Sequence, residues 1–410
     1  MVHNIKNKYI HAFLVSVTFF SNMYPLLAQP GENLWHLLAT INTDISILAL
    51  CSPTPITEFP TTISQPGVYC LNTDVAIDSS SQAAIFIASS NVYIDLNGHS
   101  ISNPSLNGIE MDFNSSRIVI QNGFINNCIQ GIILDANNDA VLMRNIRMCD
   151  CAIGITGNAS SNIIASDIQV YEFDDFGIVF ENSFDITIKN CIAAQETTEG
   201  IGHGFSISSS ITSLVNSAQL PGILIQDCQS SNVQKGFVVG LTLNTTVSAN
   251  LINCISQGNN TYGFDLGPSI NALACKNCIA SNNNVGFNIN CSSALIENCV
   301  SNANKSHGFT CASAIMKNTL LDGCNAHSNG GNGFNFSSTD VQNVLNNCTA
   351  THNNIGFSTP ITNNILTLLS SSVFNNTQNF TTLGSQSARI AVISAGNAEY
   401  AYNLRDSSVS

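Results

Sequence analysis

Charged residues are scarce in this chain of 410 residues. Asp, Glu, Lys and Arg together make up only 9% of it, against about 25% in an average globular chain. The 26 acidic residues outnumber the 12 Lys and Arg, which gives a net charge of −14. A surface with this balance repels a phosphate backbone and argues against a nucleic-acid partner. The 44% of hydrophobic residues excludes a disordered tract.

Long apolar runs and helical periodicity are also missing from most of the sequence. After the N-terminal region no segment is long and apolar enough to span a bilayer. Between residues 83 and 380 no segment keeps a 3.6-residue apolar period over 10 to 12 residues. These two absences exclude a membrane-spanning helix after the N-terminus and a fold built from paired helices.

The N-terminal residues have the pattern of an export signal. Lys6 and Lys8 precede a short apolar run over residues 12–20, and Ala28 stands at a suitable cleavage position. We therefore predict a signal peptide over residues 1–28 and a secreted, periplasmic or cell-surface protein. An uncleaved N-terminal anchor remains the alternative interpretation.

The strongest signal in the sequence is an internal repeat. Segments such as "IQDCQSSNVQKGFVV" and "CKNCIASNNNVGFNI" each contain a Cys that is followed eight or nine residues later by Gly-Phe. The unit recurs about every 24 residues. The repeated positions are Cys228, Cys254, Cys278, Cys299, Cys324 and Cys348, followed by Phe237, Phe264, Phe287, Phe309, Phe334 and Phe357. Phe380, after Asn379, continues the phenylalanine series where the Gly has been lost.

A unit of this length fits one coil of three short strands joined by Asn, Gly and Ser turns. Coils that pair as parallel strands about 4.8 Å apart stack equivalent side chains into columns. The sequence therefore predicts an all-β, single-stranded parallel β-helix of roughly a dozen coils over residues 83–380. Most cysteines then have a packing role, because a free Cys behaves as a small hydrophobe. Asn residues before the Cys, such as Asn253 and Asn277, are expected to bond turn amides of neighbouring coils.

The ends of such a solenoid need protection. Residues 29–82 are predicted to form an N-terminal helix and cap, since a short apolar helical face falls within residues 33–50. A flexible linker is the alternative for that segment. Residues 381–410 are predicted to form a C-terminal cap or tail. Cys51 and Cys70 fall outside the repeat spacing and are the candidates for a disulfide.

The segments "VYIDLNGHSI", "RIVIQNGFI" and "ITIKNC", together with the Gly-Phe units, resemble right-handed parallel β-helix proteins of the pectate-lyase-like superfamily. That superfamily includes polygalacturonases, alginate epimerases and periplasmic copper-binding repeat proteins. The resemblance covers about 300 residues. It implies a right-handed coil, which the general crossover rule also favours. It implies little about function, because the active sites of these proteins lie on variable turns.

The stretch "EGIGHGFSI" raises the question of sugar hydrolysis. Polygalacturonases carry a Gly-His-Gly one coil after an Asp-Asp pair, and this chain has Asp174 and Asp175 followed by His203. Inverting hydrolysis needs a proton donor and a carboxylate that activates water. Asp174, Asp175 and His203 are therefore the candidate catalytic residues.

This sequence departs from the polygalacturonase pattern in two places. Ile153 stands where the preceding coil should carry an Asp, and Phe237 begins the segment where an Arg-x-Lys is expected. The alternative interpretation is that Gly204 and Phe205 are the Gly-Phe of the repeat, since "SHGF" recurs at residues 306–309.

A second motif, "YGFDLGP", resembles the Tyr-Gly-Phe-Asp of alginate epimerases. In those enzymes a Pro-His-Asp follows the motif, but here Leu266 and Gly267 come next to Asp265. The His that the resemblance calls for is therefore missing from this position.

Acidic residues cluster where the repeat is stretched, around residues 167–204. Clustered carboxylates suit a hard cation, so Glu172, Asp174 and Asp175 are candidate ligands for calcium. A solvated acidic face is the alternative.

His327 and His352, in neighbouring coils, are a further candidate metal pair. Cys275 and Cys278 form a C-x-x-C, but no second pair follows at zinc-site spacing.

The sequence as a whole predicts an exported, non-catalytic binding scaffold of the cell envelope or exterior. Carbohydrate, as a polysaccharide or cell-surface glycan, is the first expected ligand. Two alternatives remain open: a glycoside hydrolase or lyase that acts on acidic polysaccharide, and a purely structural surface protein.

Overall fold

The computed structural model describes residues 52–77, 83–197, 200–208, 222–240, 247–268, 270–311, 318–337, 342–359, 365–382, 388–390 and 393–396. These residues form one parallel sheet of 38 strands. The predicted signal peptide, the predicted helix over residues 33–50 and Cys51 all lie outside the described residues. Among the residues described, no helix is long and apolar enough to cross a membrane.

The strands follow one another in short segments. The first group is β1 Thr54–Ile56, β2 Thr61–Ile63, β3 Gly67–Leu71, β4 Val75–Ala76, β5 Ile85–Ile87, β6 Val92–Asp95, β7 Ser100–Met111, β8 Ser116–Leu134, β9 Asp139–Cys149, β10 Ile153–Asn158, β11 Ser161–Tyr171, β12 Phe176–Glu181 and β13 Phe184–Lys189. The second group is β14 Ile192–Ala194, β15 His203–Ser208, β16 Gly222–Gln226, β17 Gln229–Ser231, β18 Lys235–Val239, β19 Val247–Ile252, β20 Ile255–Gln257, β21 Tyr262–Leu266, β22 Ile270–Lys276, β23 Ile279–Ser281, β24 Val285–Ile289 and β25 Ser293–Glu297. The third group is β26 Val300–Asn302, β27 Phe309–Cys311, β28 Asn318–Asp322, β29 Asn325–His327, β30 Asn332–Phe336, β31 Gln342–Asn346, β32 Thr349–Thr351, β33 Ile355–Thr359, β34 Ile365–Leu369, β35 Ser371–Phe374, β36 Gln378–Thr382, β37 Ala388–Ile390 and β38 Ile393–Gly396.

From β12 onwards each coil contributes one strand to each of three faces, whereas β8 runs continuously around all three. Face 1 includes the successive partners β13, β16, β19, β22, β25 and β28. Face 2 includes β14, β17, β20, β23 and β26, and face 3 includes β12, β15, β18, β21 and β24. All of these pairings are parallel. The predicted parallel β-helix is therefore confirmed.

The phenylalanine column predicted from the repeat lies inside face 3. Its members are fully or almost fully buried, and each ring stacks on the ring of the next coil with centroids 4.6–5.5 Å apart. The Gly before each Phe from Phe237 to Phe357 has a steric reason. A Cβ on Gly236 would lie 2.6 Å from the carbonyl oxygen of Gly263 in the next coil, and one on Gly263 would lie 2.7 Å from that of Gly286.

The cysteine column forms the matching core position at the corner between faces 1 and 2. Its thiols are buried in every repeat coil, at Cys228, Cys254, Cys278, Cys299, Cys324 and Cys348. Most of them donate to backbone carbonyls of their own coil and of the coil before it. These thiols therefore pack as small hydrophobic groups, as the spacing predicts.

The asparagines before the cysteines let the backbone turn at the corner between faces 1 and 2. Asn253 and Asn277 have φ of 55° and 54°, the left-handed region that Asn tolerates better than most residues. Their side chains are exposed and bond side chains of the preceding coil: Asn277 Nδ2 donates to Asn253 Oδ1 at 3.2 Å, and Asn253 Nδ2 to Asp227 Oδ1 at 2.9 Å. The expectation that these asparagines bond turn amides was wrong, because that role belongs to another asparagine.

The amide-bonding asparagine comes five residues after the Cys, at the bend between faces 2 and 3. Asn283 is fully buried, and its Oδ1 accepts from both the backbone N–H and the side-chain amide of Asn259, at 3.0 and 2.9 Å. Its Nδ2 donates to the Ser256 carbonyl and to Asn304 Oδ1, both at 3.1 Å. The same arrangement continues through Asn304, Asn329, Asn353 and Asn376.

The coils extend beyond both limits expected for the solenoid. Parallel pairing begins at β1, which pairs with β3, so residues expected to belong to an N-terminal cap already form strands of the stack. At the other end β37 and β38 pair with β34 and β35, beyond Phe380. Cys70 is only partly buried, and its suggested partner Cys51 lies outside the described residues, so their disulfide stays a prediction.

Replacing Asn283 by Ala should destabilise the protein strongly. The change leaves the backbone N–H of Asn259 buried without an acceptor, and each such orphan costs about 1–3 kcal/mol. We expect Asn283→Ala to lower the free energy of unfolding by about 3 kcal/mol in urea denaturation. Asn284→Ala, one residue along the same bend, is the control and should cost less than about 0.5 kcal/mol. Equal losses in the two variants would contradict a structural role for the buried column.

Candidate functional site

The predicted catalytic residues lie in adjacent coils but do not converge through their side chains. Asp174 and Asp175 are exposed in the turn before β12, and His203 is the first residue of β15. The residue paired with His203 is Phe176, whose ring lies edge-on to the imidazole at 5.3 Å. Asp175 contacts His203 through the backbone, where its carbonyl accepts from the His203 N–H at 2.8 Å. Within the described residues no hydrogen bond or ion pair joins either carboxylate to the imidazole.

Both glycines that flank His203 have a packing role. A Cβ on Gly202 would lie 2.7 Å from the carbonyl oxygens of Asp174 and Asp175 in the coil before it. A Cβ on Gly204 would lie 2.8 Å from the carbonyl oxygen of Gly236 in the coil after it. The close contact between coils therefore accounts for the Gly-His-Gly pattern without reference to catalysis.

The predicted calcium ligands do not form a compact group. Glu172 has φ of 49° and its Oε1 accepts from the backbone N–H of Glu196 at 2.7 Å. Asp174 and Asp175 point from an exposed turn. In the part of the chain that the structure describes, these three carboxylates do not bring their oxygens within 4.8 Å of one another. The calcium site stays a prediction.

The candidate histidine pair is brought together. The rings of His327 and His352 lie 5.0 Å apart and nearly perpendicular. His327 Nδ1 also contacts the hydroxyl of Thr351 at 2.8 Å. No third metal ligand joins the pair among the described residues.

The strongest concentration of functional chemistry lies on the outer side of face 3. Lys235 Nζ bonds Asp265 Oδ2 at 2.7 Å, and only 5% of the Asp265 side chain is exposed. Asp265 alternates with the inward Phe264 and Leu266, so its carboxylate lies on the outer side of the strand. Asn288, its register partner in the next coil, donates to Asp265 Oδ1 at 2.8 Å. Both carboxylate oxygens therefore have partners.

Strand register extends this cluster towards His203. Parallel pairing places His203 against Lys235 and Lys235 against Tyr262 in three consecutive coils. The Lys235 ammonium lies 5.3 Å from the centre of the Tyr262 ring, a cation–π distance. His203 Nε2 contacts Gln234 Oε1 at 3.2 Å. We call His203, Gln234, Lys235, Tyr262, Asp265 and Asn288 the face 3 cluster.

The imidazole of His203 is set up to be neutral near pH 7. Burial lowers its pKa below the usual value of 6.5, and the nearby Lys235 ammonium lowers it further, although the Gln234 contact and Asp265 act in the opposite direction. Its Nδ1 is buried and has no hydrogen-bond partner among the described residues. A neutral ring with one nitrogen free can accept or donate a proton.

Sequence reasoning identified His203 as a candidate and noted Asp265 only within the "YGFDLGP" motif. It missed Gln234, Lys235 and Asn288. The comparison with polygalacturonases drew attention to Phe237 rather than to Lys235, and the "YGFDLGP" motif was compared only with the residues that follow it. The signal that could have found Lys235 is the strand register. Lys235 stands two residues before Phe237, and Tyr262 stands two residues before Phe264, so the phenylalanine column aligns them.

Comparison with known families gives one match. Residues 67–234 match the family model described as right handed beta helix region. No curated protein matches the sequence.

Several solved structures resemble the chain at low sequence identity. A periplasmic alginate epimerase, AlgG, is 12% identical with a TM-score of 0.49, over 76% of this chain and 77% of that chain. A tailspike protein mutant of E. coli bacteriophage HK620 in complex with pentasaccharide is 12% identical with a TM-score of 0.46, over 85% and 74%. The A-module of the Azotobacter vinelandii mannuronan C-5 epimerase AlgE4 is 11% identical with a TM-score of 0.46, over 86% and 95%. At these values the comparisons assign no function.

Replacing Lys235 by Met tests how much the Lys235–Asp265 ion pair contributes to the free energy of unfolding. Met keeps much of the aliphatic packing of Lys but leaves Asp265 buried without its counter-ion, which we expect to cost about 2–4 kcal/mol in thermal or urea unfolding. Lys276→Met is the matched control, because the Lys276–Glu297 pair is 36% exposed on both sides. It should cost less than about 1 kcal/mol. Equally small losses of stability in Lys235→Met and Lys276→Met would show that the Lys235–Asp265 pair is exposed to solvent.

Proposed function

We propose that this chain, a right-handed parallel β-helix protein, is an exported, non-catalytic binding scaffold whose ligand is a carbohydrate. The face 3 cluster carries this proposal. It combines an aromatic ring, an ammonium, a carboxylate, amides and an imidazole across consecutive coils of a rigid sheet.

These groups match the chemistry of a sugar. A pyranose ring presents C–H bonds on its faces, which pack against an aromatic ring such as Tyr262. Its hydroxyls both donate and accept, so they need neighbouring donors and acceptors. Lys235, Asn288 and Gln234 are not fully buried, and they provide an ammonium and two carboxamides near the ring.

The regular spacing of the coils favours a polymer over a single sugar. Each coil adds about 4.8 Å along the stack, so the cluster from His203 to Asn288 extends across four coils, or roughly 15 Å between its outermost strands. A length of this order accommodates several sugar residues. Sites placed on regular strands also hold their geometry before the ligand binds, which reduces the entropy cost of binding.

The first experiment measures glycan binding. Wild-type protein should be retained by at least one polysaccharide or cell-surface glycan on a broad panel, and Tyr262→Leu should weaken the affinity at least ~10-fold, about 1.4 kcal/mol. Lys276→Met, on another face, should bind as the wild type does. A blank across the whole panel, with the protein shown to be folded by circular dichroism, rejects the binding proposal.

A second candidate function is supported by His203 alone among the predicted catalytic residues. Its neutral imidazole lies next to an ammonium and in register with a coil that carries a phenol and a carboxylate. Proton transfer to or from a sugar requires a group of this kind. Under this alternative the chain is a hydrolase or lyase that acts on acidic polysaccharide, with Asp174 and Asp175 in the turn beside it.

The enzyme alternative is tested with uronate polymers. Activity would appear as new reducing ends or unsaturated products, and His203→Gln and Asp175→Asn should each reduce it at least ~100-fold. His307→Gln is the matched control, because His307 also precedes the Gly-Phe of a coil and is also partly buried. If activity is present but unchanged in His203→Gln, the assigned site is wrong.

The pH dependence gives an independent check on that alternative. A general base must be unprotonated, so its contribution is lost as the pH falls through its pKa. Because burial lowers the pKa of His203 below 6.5, the acidic limb of kcat/KM should lie below pH 6.5. An acidic limb above pH 6.5 would exclude His203 as the base.

A further inference from the structure

We propose that Cys275, Cys278 and Cys299 form a binding site for a soft monovalent cation, Cu(I), held by three sulfur atoms. In the part of the chain that the structure describes, these are the only three side chains of the metal-ligating types whose ligand atoms all lie within 4.8 Å of one another. The proposal is independent of the carbohydrate-binding function, because the group lies in the core and the face 3 cluster lies outside it.

This group exists because one coil departs from the repeat. Cys278 and Cys299 belong to the cysteine column, as their equivalents do in the other coils. Cys275 does not: it occupies an inward position of face 1, where its register partners in the adjacent coils are Leu251 and Ile296. A smaller side chain stands where Leu or Ile fills the neighbouring coils, and it brings a third sulfur to the column.

The sulfur positions fit trigonal coordination. A metal at the centre of three thiolates with bonds of about 2.3 Å requires sulfur–sulfur edges of about 4.0 Å. The Sγ atoms of Cys275 and Cys299 are 3.8 Å apart, and the group as a whole stays within 4.8 Å. Binding therefore requires only small side-chain adjustments, and the backbone is already fixed by parallel strands on both sides of the corner.

The number and type of ligands select the metal. Thiolates favour soft cations such as Cu(I), whereas structural Zn(II) sites almost always have four ligands. No fourth Cys, His, Asp or Glu joins the group among the described residues. All three side chains are fully buried, so water is not available as an additional ligand.

Copper binding is measured on the full-length chain under reducing, oxygen-free conditions. Cys51→Ser, Cys70→Ser and Cys149→Ser are introduced first, because Cys70 and Cys149 are partly exposed and could bind copper on their own. Cu(I) is supplied both to the folded chain and during refolding, in competition with a chromophoric chelator. We expect one Cu(I) per chain, and X-ray absorption should show three sulfur neighbours at about 2.3 Å.

Three variants decide whether the copper occupies this group. Cys275→Val restores an apolar side chain like those of the adjacent coils and should weaken Cu(I) binding at least ~10-fold; Cys299→Ser, a smaller change in shape, should do the same. Cys324→Val removes another thiol of the same column and should leave binding unchanged. Absence of Cu(I) binding by the chain with the three Ser substitutions, equal binding after Cys275→Val is added to it, or an equal loss after Cys324→Val is added would each overturn the proposal.

Discussion

Parallel hydrogen bonding between successive coils is the constraint on which the rest of this structure depends. It places every residue beside its equivalent in the next coil, at about 4.8 Å. A side chain that tolerates its own kind at that distance can recur indefinitely. Phenylalanine stacks, cysteine packs, and buried asparagine donates to the asparagine of the next coil while it accepts from that of the coil before. The composition of the chain follows from this requirement.

The scarcity of charge has the same origin. Two like charges about 4 Å apart repel by about 4 kcal/mol at an effective dielectric constant of 20, so a column of lysines or carboxylates would oppose coil stacking. Asn, Ser and Thr provide polar side chains without that repulsion. The buried charges of face 3 meet the opposite sign or an amide, as Lys235, Asp265 and Asn288 do, although like charges also stand in register elsewhere, as Glu297 and Asp322 do.

The sequence predicted those features that recur. The spacing of Cys and Gly-Phe predicted the parallel coil, the buried thiols and the phenylalanine column, because each repeats in nearly every unit. It assigned the wrong asparagine to the turn amides, since Asn before Cys and Asn five residues after it recur equally well. Only the structure separates them: Asn277 is exposed in a left-handed corner, whereas Asn283 is fully buried.

The candidate sites were harder to predict because they consist of residues that do not recur. Lys235, Asp265 and Asn288 lie in different coils, and their proximity depends on register rather than on a motif. Conversely, "GHG" resembled a motif although packing between coils accounts for both of its glycines. In a solenoid the repeat specifies the scaffold, so packing between coils is enough to account for a residue that matches its equivalents in the other coils. A residue that breaks its column, as Lys235 does on face 3 and Cys275 does in the core, has no such explanation, and function is best sought there.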